Sequence, residues 1–325
     1  MRVLIRGAGV AGMSLGYELT RRGAEVTIAD ISNGLSGNAS WLAGGMLAPW
    51  CERENAEEKV LTLGRKSIDW WTELAPGLVT HHGTVVVAPP RDLSELSRFA
   101  GRTSGYEWLD GEELASLEPD LEGRFSKALF FRQEAHLDPR HALTRLKEKL
   151  EMLGVQFVFS SNTATVDADI EADCTGMASN NAELRGVRGE MMILQTSEVA
   201  LSRPVRMLHP RIPVYIVPRE NNHFMVGATM IESDDDGPIS VRSTMELLNA
   251  AYSLHPAFAE AKIVETGTGV RAAYFDNLPR VTVAGRKISM NGFYRHGFLL
   301  SPHFASEAAD RIFEALQEKD FETHN

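Results

Sequence analysis

The first thirty residues combine two short apolar runs with one amphipathic stretch. Val3-Leu4-Ile5 and the segment Glu25 to Asp30 are typical of strands buried in a parallel sheet. Between them, apolar positions recur at helical spacing from Ala11 to Arg22, and Gly23 is a common helix stop. The pattern predicts a strand, a helix and a second strand in succession, which is a βαβ unit.

Similar patterns recur later in the chain. Residues Lys59 to Leu74 have helical spacing, and Gly83 to Ala88 predicts a strand that Pro89-Pro90 ends. A helix from Pro139 to Leu153 precedes a strand from Val155 to Phe159. We therefore expect the helix-and-strand organisation of the first unit to resume near residue 136.

The region from Arg188 to Phe258 has a different pattern. Short strand-like segments are separated by turn residues, and one helix is predicted near Met245 to Leu254. The segments are Met191 to Leu194, Val214 to Val217 and Phe224 to Gly227. This pattern favours an antiparallel sheet in a second domain, interleaved with the first along the chain.

Composition and charge exclude several classes of protein. The 325 residues are 43% hydrophobic and carry a formal net charge of -11, without the basic stripe of a nucleic-acid binder. Cys51 and Cys174 lie far apart, which fits a reducing compartment. No signal-peptide pattern and no apolar run of about 18 residues is present. We expect a cytoplasmic protein that is neither exported nor membrane-spanning.

Metal-ligating patterns are absent from the sequence as well. Asp234-Asp235-Asp236 is best explained as a solvated loop, and His81-His82 and His296 have no partners at zinc-binding spacing. We therefore predict no metal site.

The turn after the first strand has the sequence Gly7-Ala8-Gly9-Val10-Ala11-Gly12. Glycines there allow a tight turn and let a pyrophosphate approach the N-terminus of the following helix. Asp30 ends the second strand, where a carboxylate can accept hydrogen bonds from a ribose and would repel a 2′-phosphate. The motif predicts an unphosphorylated dinucleotide and leaves NAD and FAD open.

Three further motifs distinguish these cofactors. They are Ala39-Ser40-Trp41-Leu42-Ala43-Gly44-Gly45-Met46, Tyr215-Ile216-Val217-Pro218-Arg219 with Val226-Gly227-Ala228-Thr229-Met230, and Asn291-Gly292-Phe293-Tyr294-Arg295-His296-Gly297-Phe298-Leu299-Leu300-Ser301-Pro302. Shorter matches are His136-Leu137-Asp138-Pro139, Arg188-Gly189-Glu190 and Gly269-Val270-Arg271. In this order they resemble the D-amino-acid oxidase superfamily of flavoproteins, and within it the glycine oxidase branch.

The resemblance implies a fold and a cofactor. It implies an α/β protein in which a Rossmann-like, GR2-type FAD-binding domain (1–80, 136–187 and 265–325) is interleaved with an α+β substrate-binding domain (81–135 and 188–264) built on an antiparallel sheet. The residues implied in FAD binding are Gly7, Gly9, Val10, Ala11, Gly12, Asp30, Ala39, Ser40, Gly44, Gly45, Met46, Thr175, Gly176, Gly292, Tyr294, Arg295, His296, Gly297, Phe298 and Leu299.

The resemblance also implies a substrate site. Arg271 would hold the carboxylate of an amino acid through its planar guanidinium, and Tyr215 would donate its hydroxyl to the same carboxylate. Arg295 would lie before a helix from Pro302 to Leu316, whose N-terminus would stabilise charge developing on the flavin. Met46 and Met230 would line the pocket. Without the resemblance, an arginine here would be read as an ion pair, a strand tyrosine as a packing residue and a methionine as core.

The activity implied by the branch is oxidation of glycine or another small amine to an imine. Hydride passes from Cα to the flavin, water hydrolyses the imine, and dioxygen reoxidises the flavin with release of hydrogen peroxide. In this branch the glycine imine feeds thiazole formation for thiamine. Glycine, sarcosine and small D-amino acids all remain candidate substrates, because one methyl group is worth only about 1 to 3 kcal/mol in a pocket. The sequence leaves the state of oligomerisation open.

The sequence departs from the pattern of the glycine oxidase branch at three places, and it leaves other functions open. Ala272 stands where relatives have proline, Pro213 stands where some present a histidine, and the segment Thr165 to Asp173 is shortened. A dehydrogenase that uses another electron acceptor is the rival enzyme. The alternatives without catalysis are a flavin-binding protein and an NAD-binding sensor.

Overall fold

The computed structural model describes residues 1–160, 166–209 and 213–322, with side chains up to residue 314. Its strands are β1 (Arg2–Arg6), β2 (Glu25–Asp30), β3 (Met46–Leu47), β4 (Val79–Thr80), β5 (Thr84–Val87), β6 (Glu107–Asp110), β7 (Lys127–Phe131), β8 (Ala135–Leu137), β9 (Gln156–Phe159), β10 (Ile170–Asp173), β11 (Arg185–Gln195), β12 (Val205–Met207), β13 (Val214–Arg219), β14 (His223–Gly227), β15 (Ile231–Glu232), β16 (Lys262–Ala273), β17 (Arg280–Ala284) and β18 (Lys287–Asn291).

The helices follow the same chain order. They are α1 (Val10–Arg21), α2 (Pro49–Glu52), α3 (Glu58–Gly64), α4 (Ser67–Leu74), α5 (Leu93–Arg102), α6 (Gly111–Leu117), α7 (Pro139–Met152), α8 (Val241–Leu254) and α9 (Gly297–Glu322). Among the described residues, no helix combines the length and hydropathy needed to cross a bilayer.

A six-stranded sheet carries the predicted βαβ unit. Its order is β17-β18-β10-β1-β2-β9, and all neighbours are parallel except β17 and β18. Helix α1 packs against α9 and α7 beside this sheet. Fully buried side chains such as Ile5, Met13 and Ile28 fill the space between strands and helices. Because β1 is central and parallel, its carboxyl end places the glycine turn in the middle of the sheet edge.

A larger sheet forms the second layer. Its order is β15-β11-β14-β13-β12-β5-β7-β6, and β16 pairs with β11 along almost its whole length. Helix α8 covers one face, where Leu247 and Leu254 join the cluster that contains Met192 and Val226. The alternate residues Met191 and Met225 belong to a separate cluster on the other face. The predicted fold class, a Rossmann-like unit combined with an antiparallel sheet, is confirmed.

The predicted domain division stays a proposal. Two of its limits fall inside long strands of the larger sheet, since residues 187 and 188 belong to β11 and residues 264 and 265 to β16. A short third sheet, β3-β8-β4, links the segment before α2 to the strand before α7.

Two predicted helices differ from the structure. The stretch Lys59 to Leu74 is two helices, α3 and α4, with a break at residues 65–66. The C-terminal helix begins at Gly297 rather than at Pro302, so Pro302 lies inside it. Proline has no N–H for the carbonyl four residues earlier, and that carbonyl, Phe298 O, accepts the indole N–H of Trp71 at 2.8 Å instead. The indole therefore replaces the missing helical hydrogen bond.

Candidate active site

A single cavity of about 1080 Å³ extends from the carboxyl edge of the six-stranded sheet to the uncovered face of the larger sheet. All the predicted site residues line it except Gly12, Gly292 and Met230. Gly12 lies within the glycine turn, Gly292 lies under the ring of Tyr274, and Met230 contacts Arg295. The structure thus brings the predicted residues together from segments spread over the whole chain.

The glycine turn is closed by direct backbone contact. A Cβ atom on Gly12 would lie 2.0 Å from Gly7 O, and one on Gly7 would lie 2.4 Å from Cys174 O. Gly7 also has a φ of +103°, a conformation that side chains disfavour. Helix α1 starts at Val10, within this motif, and has no acidic residue in its first turn. Its positive N-terminus therefore faces the cavity without a neighbouring carboxylate on that turn.

Asp30 joins the glycine turn to the segment that follows β2. Its Oδ2 accepts the backbone N–H of Ala8 at 2.7 Å, and its Oδ1 accepts the N–H and hydroxyl of Ser32 at 2.9 and 2.6 Å. The carboxylate is therefore fixed at the cavity wall beside the glycine turn.

The segment from Ala39 to Met46 forms the next part of the wall. Ser40 Oγ accepts the N–H of Val10 at 3.1 Å, which joins the segment to α1. Arg219 donates to Gly44 O at 2.7 Å and to Leu137 O at 3.2 Å, and it pairs with Asp138 at 3.4 Å. Burial lowers the pKa of Arg219 to about 10, against the opposing effect of Asp138. This arginine of the larger sheet fixes the small-residue segment.

Arg271 and Tyr215 face the cavity from the larger sheet. Arg271, on β16, makes a hydrogen bond from Nη1 to Thr229 O at 3.0 Å and no ion pair with any described residue. The Tyr215 ring lies over Gly44, where a Cβ atom would be 2.7 Å from Tyr215 Cε2. Burial lowers the pKa of Arg271, as expected for a cation removed from water. A ligand carboxylate would supply the counter-ion that the described protein atoms do not.

Glu52, which sequence reasoning missed, also lines the cavity. Its Oε1 accepts from Arg206 at 3.1 Å and Arg295 at 3.3 Å, and its Oε2 lies 3.0 Å from His296 Nε2. Burial alone would raise the pKa of Glu52, but Arg295, His296 and Arg206 together hold it well below its usual range. We call Glu52, Arg206, Arg295 and His296 the Glu52 cluster. Its only signal in the sequence was the position of Glu52 soon after the Gly44-Gly45-Met46 motif.

The remaining predicted residues flank this cluster. Met230 is 42% exposed, and its sulfur lies 3.1 Å from Arg295 Nη1 and 3.5 Å from Tyr294 Oη. Ala272, the departure from the expected proline, lines the cavity, and its carbonyl accepts the N–H of Tyr294 at 2.9 Å. Pro213 lies just before β13 and is not among the described lining residues. The start of the shortened segment, Thr165, lies outside the described residues.

The chemistry of the walls fits an extended flavin dinucleotide. The glycine turn and the N-terminus of α1 suit a pyrophosphate, and Asp30 suits a ribose. Gly44 and Gly45, which also line the cavity, pack closely against Tyr215 and Leu137. The cavity also reaches the top of the range of about 300 to 1,000 Å³ usual for small-molecule sites. Within the described side chains, no group of His, Cys, Asp or Glu is arranged to hold a metal ion.

The chain is similar to known proteins both in sequence and in fold. Residues 2–311 match the family described as DAO, FAD dependent oxidoreductase. The chain is 60% identical over 315 residues to a Rhizobium etli protein named thiamine biosynthesis oxidoreductase ThiO, with 96% of each chain covered. It is similar in fold to glycine oxidase from Bacillus cereus (TM-score 0.82, 21% identity, 96% and 97% of the chains) and to iminodiacetate oxidase from Chelativorans (TM-score 0.81, 21% identity, 96% and 95%). The chain belongs to the DAO family and is an FAD-dependent oxidoreductase of the ThiO and glycine oxidase type.

Proposed function

We propose that the protein oxidises glycine, or a similarly small amino acid or amine, to its imine with dioxygen as electron acceptor. The products would be the imine and hydrogen peroxide, and for glycine the hydrolysis of the imine would give glyoxylate and ammonia. Identity of 60% with a protein named for thiamine biosynthesis, over almost the full length of both chains, supports a role in thiazole formation. The bound flavin would supply the two-electron acceptor for the amine and the route of those electrons to dioxygen.

The observation that carries this proposal is the guanidinium of Arg271, which has no carboxylate partner in the part of the chain that the structure describes. It is a buried cation at the cavity wall, and among the described residues its hydrogen-bond partner is the carbonyl oxygen of Thr229. A substrate carboxylate would restore its counter-ion in a bidentate geometry. The Tyr215 hydroxyl faces the same cavity and would donate to that carboxylate. Two anchors on separate strands would fix the orientation of Cα.

A chain of hydrogen bonds from Thr229 and Glu190 holds Arg271 in place. Thr229, whose carbonyl accepts from Arg271, donates its hydroxyl to Glu190 Oε2 at 3.1 Å. Glu190 is fully buried and accepts from Arg188 at 2.9 Å. Because each partner is itself held, Arg271 would keep its position before substrate arrives.

The surroundings of the anchors favour a small substrate. The ring of Tyr215 presses on Gly44 from one side, and Met46 and Met191 add apolar surface to the cavity. The cofactor would share the same cavity, which leaves limited room beside Arg271. The sequence resemblance and this crowding both favour glycine, sarcosine and small D-amino acids over larger amino acids.

The test is a peroxide assay on the purified, FAD-loaded protein. Glycine, sarcosine, D-alanine and D-proline would be compared at equal concentration, with oxygen uptake recorded in parallel. We expect oxygen uptake to match peroxide formation for at least glycine. The proposal is wrong if none of these substrates reduces the flavin under anaerobic conditions. Reduction without reoxidation by air would assign the protein to the dehydrogenases instead.

A further inference from the structure

The arginines that line the cavity wall are, with one exception, paired with carboxylates. Three arginines line the cavity, namely Arg6, Arg271 and Arg295. Arg6 pairs with Glu171 at 2.6 Å and Arg295 pairs with Glu52 at 3.3 Å. Among the described lining residues, this leaves Arg271 as the cation that has no carboxylate partner. One guanidinium of the described wall is therefore left to bind an anionic group, and the carboxylates of Asp30, Asp234 and Asp236 add further negative charge to the lining.

Together with Glu54, the Glu52 cluster contains equal numbers of guanidiniums and carboxylates. Arg206 and Arg295 each pair with Glu52, and Arg206 also lies 3.7 Å from Glu54. Two guanidiniums thus face two carboxylates. The Arg206 side chain is only 3% exposed and lies behind the wall, whereas Glu52 is 15% exposed and reaches it. The cluster therefore presents both the Glu52 carboxylate and the Arg295 guanidinium, which is 14% exposed, to the cavity.

The second member of the cluster on the wall, Arg295, has spare donor capacity. Its Nη2 donates to Glu52, whereas the partner of its Nη1 among the described side chains is the thioether sulfur of Met230. Sulfur is a weak acceptor compared with a carboxylate oxygen. Without Glu52, Arg295 would therefore be ready to accept an additional anion.

We propose that Glu52 is a specificity-determining residue that restricts the substrate to amino acids with a single carboxylate. The inference rests on the proposed function, because it assumes that Arg271 holds the first carboxylate. A second carboxylate on the substrate would enter a wall whose cations are already paired, and it would meet Glu52 as a like charge. Selectivity of this kind comes from repulsion of the wrong ligand as much as from attraction of the right one.

Binding of two matched ligands to the FAD-loaded protein tests the proposal. Diglycolate carries two carboxylates, and diglycolamate has the same skeleton with one carboxylate replaced by a neutral amide. Neither has an amine to oxidise, so changes in the flavin absorbance spectrum report binding alone. We expect the parent protein to bind diglycolamate at least about tenfold more tightly than diglycolate, a cost typical of like charges brought together at a binding surface.

Glu52→Gln should reverse this preference, because Arg295 then lacks its carboxylate partner. Glu52→Asp keeps the charge and should restore the preference of the parent. Glu54→Gln is the matched control, because it removes the other carboxylate that pairs with Arg206 and Glu54 is not among the described residues of the cavity wall. This variant should keep a ligand preference close to that of the parent.

Several results would overturn the proposal. Equal binding of the two ligands by the parent protein would do so without any variant, and this holds even where Glu52→Gln fails to fold. If Glu52→Gln changed the affinities for diglycolate and diglycolamate equally, Glu52 would have only a structural role in its ion pairs. If Glu54→Gln changed the ligand preference as much as Glu52→Gln, the preference would depend on Arg206 rather than on the charge of Glu52 at the wall. Failure of the glycine assay alone would count against the proposed function and leave this charge preference standing.

Discussion

The backbone of Gly189 lies directly under the guanidinium of Arg271, so closely that a Cβ atom on Gly189 would come within 2.1 Å of Arg271 Nη2. Gly189 lies on β11 and Arg271 on the neighbouring strand β16. The absence of a side chain at position 189 is therefore what allows the guanidinium to lie flat at the cavity wall.

Gly189→Ala should displace Arg271 while leaving the strands paired. A shift of an anchoring group by about 1 Å can cost on the order of a hundredfold in rate, so we expect the KM for glycine to rise at least about tenfold. The flavin absorbance spectrum should stay that of the parent. Gly101→Ala is the control, because a Cβ there meets no atom within 4 Å. Parent-like kinetics in Gly189→Ala would contradict this packing argument.

Arg271→Ala should weaken substrate binding more strongly. Loss of a buried guanidinium that holds a carboxylate costs on the order of 2 to 5 kcal/mol, which predicts more than about a tenfold rise in the KM for glycine. Arg271→Lys should recover part of the loss, since an ammonium cannot provide the planar pair of donors. Steady-state kinetics with retained flavin give the measurement, and the exposed Arg102→Ala is the control. Glycine turnover equal to the parent in Arg271→Ala would exclude the carboxylate-binding role.

Asp30→Ala should reduce retention of FAD. The variant loses the predicted ribose contact and also the acceptor for the N–H of Ala8 in the glycine turn. The ratio of flavin to protein absorbance after gel filtration should fall below that of the parent. Asp69→Ala, an exposed change on α4, should have no such effect. Full FAD occupancy in Asp30→Ala would place the adenosine ribose elsewhere.

Glu134 should make stability depend on pH. Burial raises its pKa to about 7, although its carboxylate accepts the N–H of Cys51 at 2.7 Å. Since this folded-state pKa lies above the unfolded value, the protein binds the proton more tightly when folded, and the associated stability is lost as pH rises from about 4.5 to 7. The full effect on the free energy of unfolding is at most about 3 kcal/mol.

Glu134→Gln removes this titration and keeps an oxygen for Cys51. The Tm of the variant relative to the parent should therefore increase between pH 4.5 and pH 7 and level off above it. Thermal unfolding of both proteins across this range is the measurement. A Tm difference that does not change with pH would show that Glu134 is ionised throughout.

The parts of the site that could be predicted are those encoded in consecutive residues. The turn from Gly7 to Gly12 and the acid at Asp30 follow from local backbone geometry and spacing, and the fold class followed from the order of the motifs. The roles predicted for Arg271, Tyr215 and the FAD-binding residues stay predictions, although the structure places most of them on one cavity.

The Glu52 cluster could not be predicted, because its members are distant in sequence. Glu52 and His296 are separated by 244 positions, and only tertiary structure brings them together. The start of α9 was misplaced for a related reason. Pro302 is a normal first residue of a helix, and the indole that compensates for it comes from Trp71, which lies far away along the chain.

The parallel order β2-β1-β10-β18 affects how the protein can fold during its synthesis on the ribosome. The first strand pairs with a strand at residues 170–173, which in turn pairs with one at residues 287–291. The glycine turn is thus synthesised early, whereas its β10 and β18 neighbours emerge much later. Such non-local pairing is slow to form, and the nascent N-terminal segment keeps unpaired strand edges meanwhile. We expect chaperone contact with the growing chain, and cofactor capture only once nearly all of it has been made.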